Sequence, residues 1–428
     1  MVTQRRYLYL KQKYNVRIDV SGVEKVKNIT LLYVTMARIP GEKAHSIQIA
    51  RMCSALSEEG VEVVLVAPKR GDDLSKKSSI KQVLDFYGLR KEFKLIKFPV
   101  PDLLRINNRE KYRNWMLMTL FFTLQALVLA LIFKLKKDNL YVFCREPLVF
   151  LFLYLLMPFR PLRIIYELHD PPQTRSTASK LFWTCLQHLE LVIVISNTLR
   201  KYVQSVIKLS GLEKIITLHD AVDDFLFSNL KGETKSLPVH SEGKKIVTYV
   251  GQLYRWRNPE FLVDVVYNLR RDDFLFVIVG GHKEDINRVR NYAELKGVAH
   301  KIIFTGLVSP KLVPRFLALA DILLHHHGPK KWASPLKIFE YMLSQKPIVA
   351  PKVPGVSEVL VHGKNALLFA PSDPADAAQQ ISKLLDDPQT CRNLATEAYV
   401  TVKNNFTFKI RAKKIVQLLL SMSTGLNQ

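Results

Sequence analysis

The sequence predicts an α/β protein made of two doubly wound domains. Three observations predict this fold: a length of 428 residues, repeated alternation of apolar runs with helical stretches, and a break in that alternation at residues 228–244. A chain of this length is too long for one ordinary core and sufficient for two domains of about 200 residues each. We predict domains at residues 1–230 and 245–405, with a C-terminal helix at 406–428 that packs back toward the first domain.

The first domain begins with a continuous apolar, β-branched run. Residues 28–36 (NITLLYVTM) are typical of a strand buried on both faces of a parallel sheet. Residues 44–59 then carry apolar side chains at helical spacing, and Gly60 ends that helix. The same analysis predicts further strands at 61–68, 140–144, 163–168, 191–196 and 214–218. Strands that alternate with helices in this way build a doubly wound parallel sheet.

The second domain repeats this alternation after a linker. Residues 228–244 are polar, contain Gly and Pro, and lack periodicity. The strands predicted beyond them lie at 246–251, 274–281, 301–306, 321–326 and 347–351. Two such sheets are expected to face a central cleft, because doubly wound sheets bind ligands at the C-terminal ends of their strands.

The composition limits the class of partner. Hydrophobic residues make up 48% of the chain, which excludes a disordered protein. A formal net charge of +25 attracts nucleic acid, anionic lipid or phosphorylated substrates, unless the excess Lys and Arg only solvate helix surfaces. No basic run interleaved with aromatics, zinc knuckle or recognition-helix pattern is present, so nucleic acid is not a predicted partner. Four cysteines without pairing or metal spacing fit a reducing compartment, and the basic N-terminus lacks the apolar core of a secretory signal.

An apolar run at residues 115–133 is long enough to cross a bilayer. Only three polar residues interrupt it, and Lys134, Lys136 and Lys137 follow it. The predicted strands before and after the run belong to one alternating pattern, however, and a span would separate them across the membrane. We therefore predict a crossover helix, either buried or docked in the membrane interface, over a true span.

The most specific motif is SPLKIFEYM at residues 334–342. Ser334 is a good N-cap and Pro335 a good first helical residue, so a helix is expected to begin here. Its unpaired backbone N–H groups and positive dipole end would bind a pyrophosphate. Glu340 lies nearly two turns further on, where a carboxylate can accept hydrogen bonds from ribose hydroxyls. Taken singly, Ser334 and Pro335 would be an ordinary helix start and Glu340 a solvated residue.

This stretch resembles the nucleotide-binding signature of the retaining GT-B glycosyltransferases of glycosyltransferase family 4. Further matches to that family lie at 251–257, 304–306, 320–321 and 354–358, and first-domain segments 38–45 and 166–172 resemble a branch that builds bacterial surface polysaccharides. The resemblance implies a GT-B fold and transfer of a sugar, with retention of configuration, from a nucleotide diphosphate. It implies a lipid-linked or surface-glycan acceptor, no cofactor and no metal.

The resemblance also implies a donor site in the second domain. Its expected members are Gly251, Arg255, Arg257, Gly306, Leu307, Ser334, Pro335, Leu336 and Glu340. Arg257, with Arg255 beside it, would neutralise charge on the leaving group, although Arg255 also fits a solvated loop cation. Three positions depart from the family pattern. Trp332 replaces an acidic residue expected to contact the donor sugar, Gln252 replaces a frequent Arg, and Arg257 replaces a usual Lys.

The expected catalytic residues are His169, Asp170, Arg257 and Glu340. His169 follows a first-domain strand and would hydrogen-bond the transferred sugar or shuttle a proton. The alternative is a histidine that caps the turn before two prolines. Asp170 lies next to His169, and the argument for a catalytic role is weaker for Asp170 than for His169.

Four first-domain residues are expected to bind the acceptor. Gly41 would allow close backbone approach, and Lys43 and His45 would hold the acceptor, although His45 also fits a helix face. Arg145 ends another strand, and an internal ion pair with Glu146 is the alternative explanation for it.

No metal site is predicted. Residues 325–327 are three consecutive histidines, and neighbours on a strand point to opposite faces, so they cannot converge on one ion. Asp220, Asp223 and Asp224 lie in a predicted turn of the first domain rather than as an Asp-x-Asp pair closing a strand.

Binding to an anionic membrane would explain both the net positive charge of the chain and the apolar run at residues 115–133. Basic residues at 105–113 and 134–137 flank the 115–133 helix, which is expected to hold the protein peripherally at the inner, cytoplasmic face of an anionic membrane. The competing interpretation is a buried helix and a basic surface that steers a phosphorylated substrate. Two rival functions remain: a nucleotide-sugar epimerase of the same fold, and a catalytically silent subunit that docks other transferases.

Overall fold

A computed structural model describes Val26 and ten segments of the chain. These segments are 28–41, 43–70, 77–101, 111–156, 162–172, 176–207, 214–227, 243–309, 311–326 and 336–424. They form two compact units: the first contains the described residues up to Ile193, Gln204–Ile216 and the chain from Phe408, and the second contains Val194–Val203 and Thr217–Thr407.

Thirteen strands lie in the described part of the chain. They are β1 Ile29–Val34, β2 Glu62–Lys69, β3 Lys94–Pro99, β4 Asn139–Cys144, β5 Arg163–Leu168, β6 Leu191–Val194, β7 Ile215–Thr217, β8 Lys245–Val250, β9 Phe274–Val279, β10 Ile302–Gly306, β11 Ile322–Leu324, β12 Ile348–Pro351 and β13 Leu367–Phe369.

Fourteen α-helices accompany them within the same described residues. They are α1 Ala44–Glu58, α2 Ile80–Tyr87, α3 Lys111–Lys134, α4 Pro147–Leu155, α5 Thr177–Leu186, α6 Asn197–Val206, α7 Glu260–Leu269, α8 Lys283–Leu295, α9 Val313–Leu319, α10 Leu336–Leu343, α11 Pro354–Ser357, α12 Pro374–Asp386, α13 Pro388–Asn405 and α14 Phe408–Thr424.

The first sheet has the strand order β3-β2-β1-β4-β5-β6-β7. The pairs from β3 to β5 are parallel, and every residue of β1 is buried, as its continuous apolar run predicts. The strand order reverses between β1 and β4, so their C-terminal ends form a topological switch point, where ligands bind in such sheets. Strand β3 was not predicted from the sequence, because this edge strand is partly exposed and lacks a continuous apolar run.

The second sheet has the order β10-β9-β8-β11-β12-β13, and all of its pairs are parallel. Its switch point lies between β8 and β11. Buried apolar clusters cover both of its faces. The prediction of two doubly wound α/β domains is confirmed, although β13 was missed because three residues carry too little periodicity.

The boundaries of the compact units follow local contacts. Val222 donates its N–H to Phe406 O at 2.9 Å and pairs with Thr407, so residues 217–227 group with the second unit, although the predicted first domain extends to residue 230. Helix α14 packs against α1 in the first unit.

Helix α3 contains the apolar run and is long and apolar enough, by length and composition only, to cross a membrane. It packs against α4, β3 and β4, yet only 39% of its most apolar window is buried. The strands before and after it belong to one sheet, which makes α3 a crossover helix. Its exposed apolar residues repeat at intervals of three and four and form the α3 stripe, consisting of Leu117, Phe121, Leu124, Val128 and Leu131.

Candidate active site

The first switch point is bridged by a carboxylate. Glu146, two residues after β4, accepts hydrogen bonds at Oε1 from the Thr35 hydroxyl and from the Met36 N–H at 3.1 Å, both just after β1. Its Oε2 is buried and has no hydrogen-bond partner among the described residues. Burial raises the pKa of this carboxyl, and the hydrogen bond from Thr35 and the charge of Arg145 oppose that shift.

His169 lies at the end of β5 within a chain of charged side chains. Its Nδ1 lies 2.9 Å from Nη2 of Arg145, and its Nε2 is hydrogen-bonded to Oε1 of Glu167. The second oxygen of Glu167 accepts a hydrogen bond from Nη2 of Arg411 at 2.8 Å. Arg145, His169, Glu167 and Arg411 are called the His169 network below. The structure therefore connects Arg145 with His169 and directs the hydrogen bonds of Glu146 to β1.

Two members of the His169 network, Glu167 and Arg411, are buried. Glu167 is 2% exposed and Arg411 is 6% exposed. Burial alone would raise the pKa of the Glu167 carboxyl, but the charge of Arg411 and the hydrogen bond with His169 hold that pKa well below its usual range. Glu167 is therefore an anion throughout the physiological pH range. Asp170, the next predicted catalytic residue, is exposed beside this network.

Three of the four predicted acceptor residues, Gly41, Lys43 and His45, lie in the loop before α1 and in its first turn. Gly41 exchanges two hydrogen bonds with the Tyr87 hydroxyl, at 2.6 Å from its N–H and 2.9 Å to its C=O. A Cβ at Gly41 would lie 2.6 Å from the carbonyl oxygen of Arg38, so packing of the loop itself requires glycine. Lys43 is the exposed N-cap residue of α1.

The His45 side chain is exposed in the first turn of α1, and its pKa is strongly shifted. Desolvation by the surrounding protein and the positive charge of Arg145, followed by Lys43 and Arg70, lower its pKa to about 4. His45 is therefore neutral at pH 7, and it can accept a hydrogen bond from a hydroxyl.

The second switch point is built from closely packed glycines. Gly251 follows β8, and a Cβ there would lie 2.1 Å from the Tyr249 hydroxyl. Gly280 follows β9 with φ +113°, donates its N–H to Gly306 O at 2.9 Å, and would place a Cβ 2.5 Å from Gly251 O. Larger residues do not fit at these two turns, so the glycines allow the ends of β8 and β9 to pack closely. Leu307, after Gly306, is 55% exposed.

Arg257 is held at this edge by its own backbone. It ends the 3₁₀ turn Arg255–Arg257, and its C=O accepts a hydrogen bond from Nε2 of His326 at 2.6 Å. The guanidinium stacks 4.7 Å from the Trp256 ring, and its Nε is buried without a hydrogen-bond partner among the described residues. Such a donor suits an anionic ligand. Arg255, by contrast, is exposed.

The histidine run has a structural role where it is described. Strand β11 ends at Leu324, earlier than predicted, so His325 and His326 follow the strand. The His326 ring stacks on Phe261 at 4.5 Å, and His325 packs edge-on against Tyr341 at 6.4 Å. The described residues contain no group of three His, Cys, Asp or Glu side chains that could hold a metal ion.

Helix α10 is tied to the end of β8 by two side chains. The Tyr341 hydroxyl accepts a hydrogen bond from Val250 N at 2.8 Å, and the Lys337 ammonium donates to Val250 O. Burial lowers the pKa of Lys337 to about 8; Glu340 opposes this shift and Arg257 adds to it. Lys337 thus places a second cation near Arg257. Lys337 was not predicted as a site residue, because no pattern in the sequence distinguishes it from other lysines in helices.

Some predicted donor residues lie outside the described part of the chain. These are Ser334 and Pro335, together with Trp332 and His327. Helix α10 is described from Leu336, which is half-buried, and Glu340 is half-buried one turn later. The structure thus brings Gly251, Arg257 and α10 together at one edge of the second sheet.

Part of the chain, which includes this edge of the second sheet, matches the sequence model of a known family. Residues 232–401 match the sequence model of the family Glycosyl transferases group 1. An uncharacterised glycosyltransferase of Methanocaldococcus jannaschii is 26% identical over 185 residues, which cover 43% of this chain and 47% of the relative. A D-inositol 3-phosphate glycosyltransferase of Corynebacterium diphtheriae is 28% identical over 186 residues, covering 42% of each chain. The chain thus spans about half the length of these curated relatives.

Solved structures match nearly the whole chain. HepE of Anabaena, solved in complex with UDP, has a TM-score of 0.70 and 16% identity, and the match covers 92% of this chain and 100% of HepE. A sucrose-phosphate synthase of Thermosynechococcus elongatus has a TM-score of 0.72 and 15% identity over 93% of this chain and 100% of that one. The fold is therefore GT-B, and the expected resemblance to glycosyltransferases is confirmed at this coarser level.

Proposed function

We propose that this chain is a glycosyltransferase that moves a sugar from a nucleotide diphosphate to a lipid-linked or surface-glycan acceptor, with retention of configuration and without a metal ion. The family match at residues 232–401 and the UDP bound to HepE support the donor class. UDP is therefore the first diphosphate to test.

The observation that carries the proposal is the second switch point. Close-packed glycines shape the ends of β8 and β9, and Arg257 and Lys337 lie beside them. Two neighbouring cations suit a pyrophosphate, because they neutralise its negative charge. As the glycosidic bond breaks, the diphosphate gains negative charge, and two fixed cations stabilise that charge more in the transition state than in the ground state. Glu340 is the proposed partner of the ribose hydroxyls.

The first domain supplies the acceptor side. His169 and Arg145 end adjacent strands, and neutral His45 lies within the electrostatic range of both. We assign His169 to a sugar hydroxyl, Arg145 to an anionic group of the acceptor, and Gly41, Lys43 and His45 to the acceptor's remaining contacts. Asp170 is kept as a further candidate at the same edge.

Donor binding is tested with a thermal-shift panel of UDP, GDP, ADP, CMP and dTDP. A ligand that binds only the folded state at 100 times its Kd adds about 2.7 kcal/mol of stability, a readily measured shift. One diphosphate should stabilise the protein clearly above the rest, and Arg257→Ala should abolish that shift. The exposed Glu397→Ala serves as the matched control. Stabilisation by none of the five would favour a catalytically silent subunit.

Catalysis is tested by hydrolysis of the corresponding nucleotide sugar. Slow release of the diphosphate is expected from the wild-type protein and should be lost in Glu340→Ala and His169→Ala. Epimerisation of the donor sugar, followed by NMR, would instead indicate the epimerase.

We also propose that the protein docks peripherally on the inner, cytoplasmic face of an anionic membrane through the α3 stripe. The stripe runs about 21 Å along the helix, and Arg113 and Lys136 are exposed near its two ends. An apolar stripe of this kind with basic flanks suits insertion into a headgroup layer that carries negative charge. A span is not proposed, because β3 and β4 lie in one sheet.

Co-sedimentation with vesicles tests the docking surface. The wild-type protein should bind vesicles that contain anionic lipid and bind purely zwitterionic vesicles much more weakly. Phe121→Ser with Val128→Ser, which are 47% and 58% exposed, should weaken binding, whereas Val400→Ser, 45% exposed in the second domain, should not. Equal binding by all variants would contradict the proposal. A loss of dimer in the stripe variant would assign the stripe to a second copy of the chain.

A further inference from the structure

The His169 network uses both nitrogens of the imidazole. Nδ1 lies 2.9 Å from the Arg145 guanidinium, and Nε2 bonds to the Glu167 carboxylate. These two partners have opposite hydrogen-bonding character. A guanidinium can only donate, and an ionised carboxylate can only accept.

This pairing determines the tautomer of the ring. Because Arg145 donates, Nδ1 must carry the lone pair, and because Glu167 accepts, Nε2 must carry the hydrogen. His169 is then neutral and in its Nε2–H form. A hydrogen on Nδ1 would point at the N–H group of Arg145 and repel it.

Arg411 keeps the Glu167 carboxylate ionised and so stabilises the Nε2–H tautomer of His169. It comes from the last helix, α14, is 6% exposed, and holds the Glu167 oxygen that His169 does not use, at 2.8 Å. A buried carboxylate without a cation would take up a proton, and a protonated Glu167 could donate to Nε2 and reverse the tautomer. The contact with Arg411 removes that alternative.

We propose that Glu167 and Arg411 are positioning residues that hold His169 in the Nε2–H tautomer, so that Nδ1, covered by Arg145, is the nitrogen that meets the substrate. When an anionic acceptor group draws Arg145 toward itself, Nδ1 becomes available to accept a hydrogen bond from a sugar hydroxyl. The role in transfer rests on the proposed function, whereas the tautomer does not.

The tautomer is read by NMR of protein with ¹⁵N-labelled histidine rings, with His169→Gln used to assign the signal. The wild type should show a protonated Nε2 and an unprotonated Nδ1. In Glu167→Gln the amide oxygen stays with Arg411, because Arg411 only donates, so the amide N–H faces Nε2. The ring should then change to Nδ1–H. An Nδ1–H ring in the wild type, or an unchanged ring in Glu167→Gln, would overturn the inference.

Kinetics test the positioning role with the full chain. Glu167→Gln should lower kcat for transfer about 10- to 100-fold, the value of one hydrogen bond in the transition state. KM for the donor should stay within about twofold, because the proposed donor contacts lie in the second domain. Arg411→Gln should act in the same direction and Arg411→Lys should recover part of the loss. Lys409→Gln, exposed on the same helix, is the control.

The outcomes separate the two proposals. A changed tautomer with unchanged kcat would refute the positioning role while leaving the glycosyltransferase proposal intact. Absence of transfer with every donor would contradict the proposed function, and the NMR result would still decide the tautomer. Should Arg411→Gln fail to fold by circular dichroism, Arg411→Lys and Glu167→Gln carry the test.

Discussion

The two switch points of this molecule are built by different means. At the first, charged side chains from β4, β5 and α14 bond to one another, as Arg145, His169, Glu167 and Arg411 do. At the second, the backbone is shaped by close-packed glycines, with cations beside it. The first arrangement fixes protonation states, whereas the second fixes the path of the backbone beside the cations.

The difference corresponds to what each edge is proposed to bind. A diphosphate has a constant shape and charge, so a rigid backbone and fixed cations recognise it well. A sugar hydroxyl is a weak donor and acceptor, and its recognition depends on which ring nitrogen carries a hydrogen. Substitutions at the second edge should therefore act on donor binding and leaving-group charge, and those at the first on turnover.

The largest expected effect is at Arg257. Arg257→Ala should lower kcat/KM for transfer about 10²- to 10³-fold, the range seen when one fixed donor to developing charge is removed. Arg255→Ala, exposed in the same 3₁₀ turn, should change it less than about threefold, as expected of a surface charge. Steady-state kinetics with the donor found in the thermal-shift panel measure both. Equal losses in the two variants would contradict the proposed role of the Arg257 guanidinium.

The second effect concerns the glycines. Gly251→Ala should lower the free energy of unfolding by about 1–3 kcal/mol, because the added Cβ would lie 2.1 Å from the buried Tyr249 hydroxyl and force repacking. Gly297→Ala, where φ is +71° and the space is open, should cost only about 1 kcal/mol of backbone strain. Urea denaturation of both variants gives the comparison. A smaller loss at Gly251 than at Gly297 would show that the turn is not rigid.

Much of the second edge can be predicted from sequence, because its signals are local. One glycine and two arginines follow an apolar strand within seven residues, from Gly251 to Arg257. The predicted strands 140–144 and 163–168 end where β4 and β5 do. Those at 28–36, 246–251, 274–281 and 321–326 end one or two residues too late, because their apolar runs continue into polar or glycine residues that leave the sheet. Thr35, Gly251 and His325 consequently lie in loops, where their groups are available for contacts.

The first edge could be predicted only in part. His169 and Arg145 follow strands, which marks them as candidates, but nothing in the sequence connects Glu167 with Arg411, because that contact depends on how α14 packs. Glu167 lies in the buried strand β5, and no spacing in the sequence distinguishes it from the other positions of that strand. Lys337 was missed for a related reason, since its link to Val250 depends on where α10 lies against β8.

A smaller effect is expected from the pH dependence of donor binding. Burial lowers the pKa of Lys337 to about 8, so this cation is lost as the pH rises through that value. The Kd for the diphosphate should therefore rise about three- to tenfold between pH 7 and pH 9, within the tenfold that about 1.4 kcal/mol provides. Lys337→Arg, which stays charged, should flatten this dependence. Isothermal titration calorimetry at the two pH values measures it, and a dependence retained in Lys337→Arg would assign the effect to another group.

The smallest expected effect is that of removing metal ions. At the second edge, Arg257 and Lys337 are proposed to neutralise the leaving diphosphate, which is a role that a divalent cation can fill in nucleotide-sugar enzymes. A divalent ion there would need carboxylate ligands, and Glu340 is the carboxylate of α10 at this edge. Treatment with EDTA should therefore leave the transfer rate unchanged within error. A loss of activity restored by Mn²⁺ would contradict this assignment.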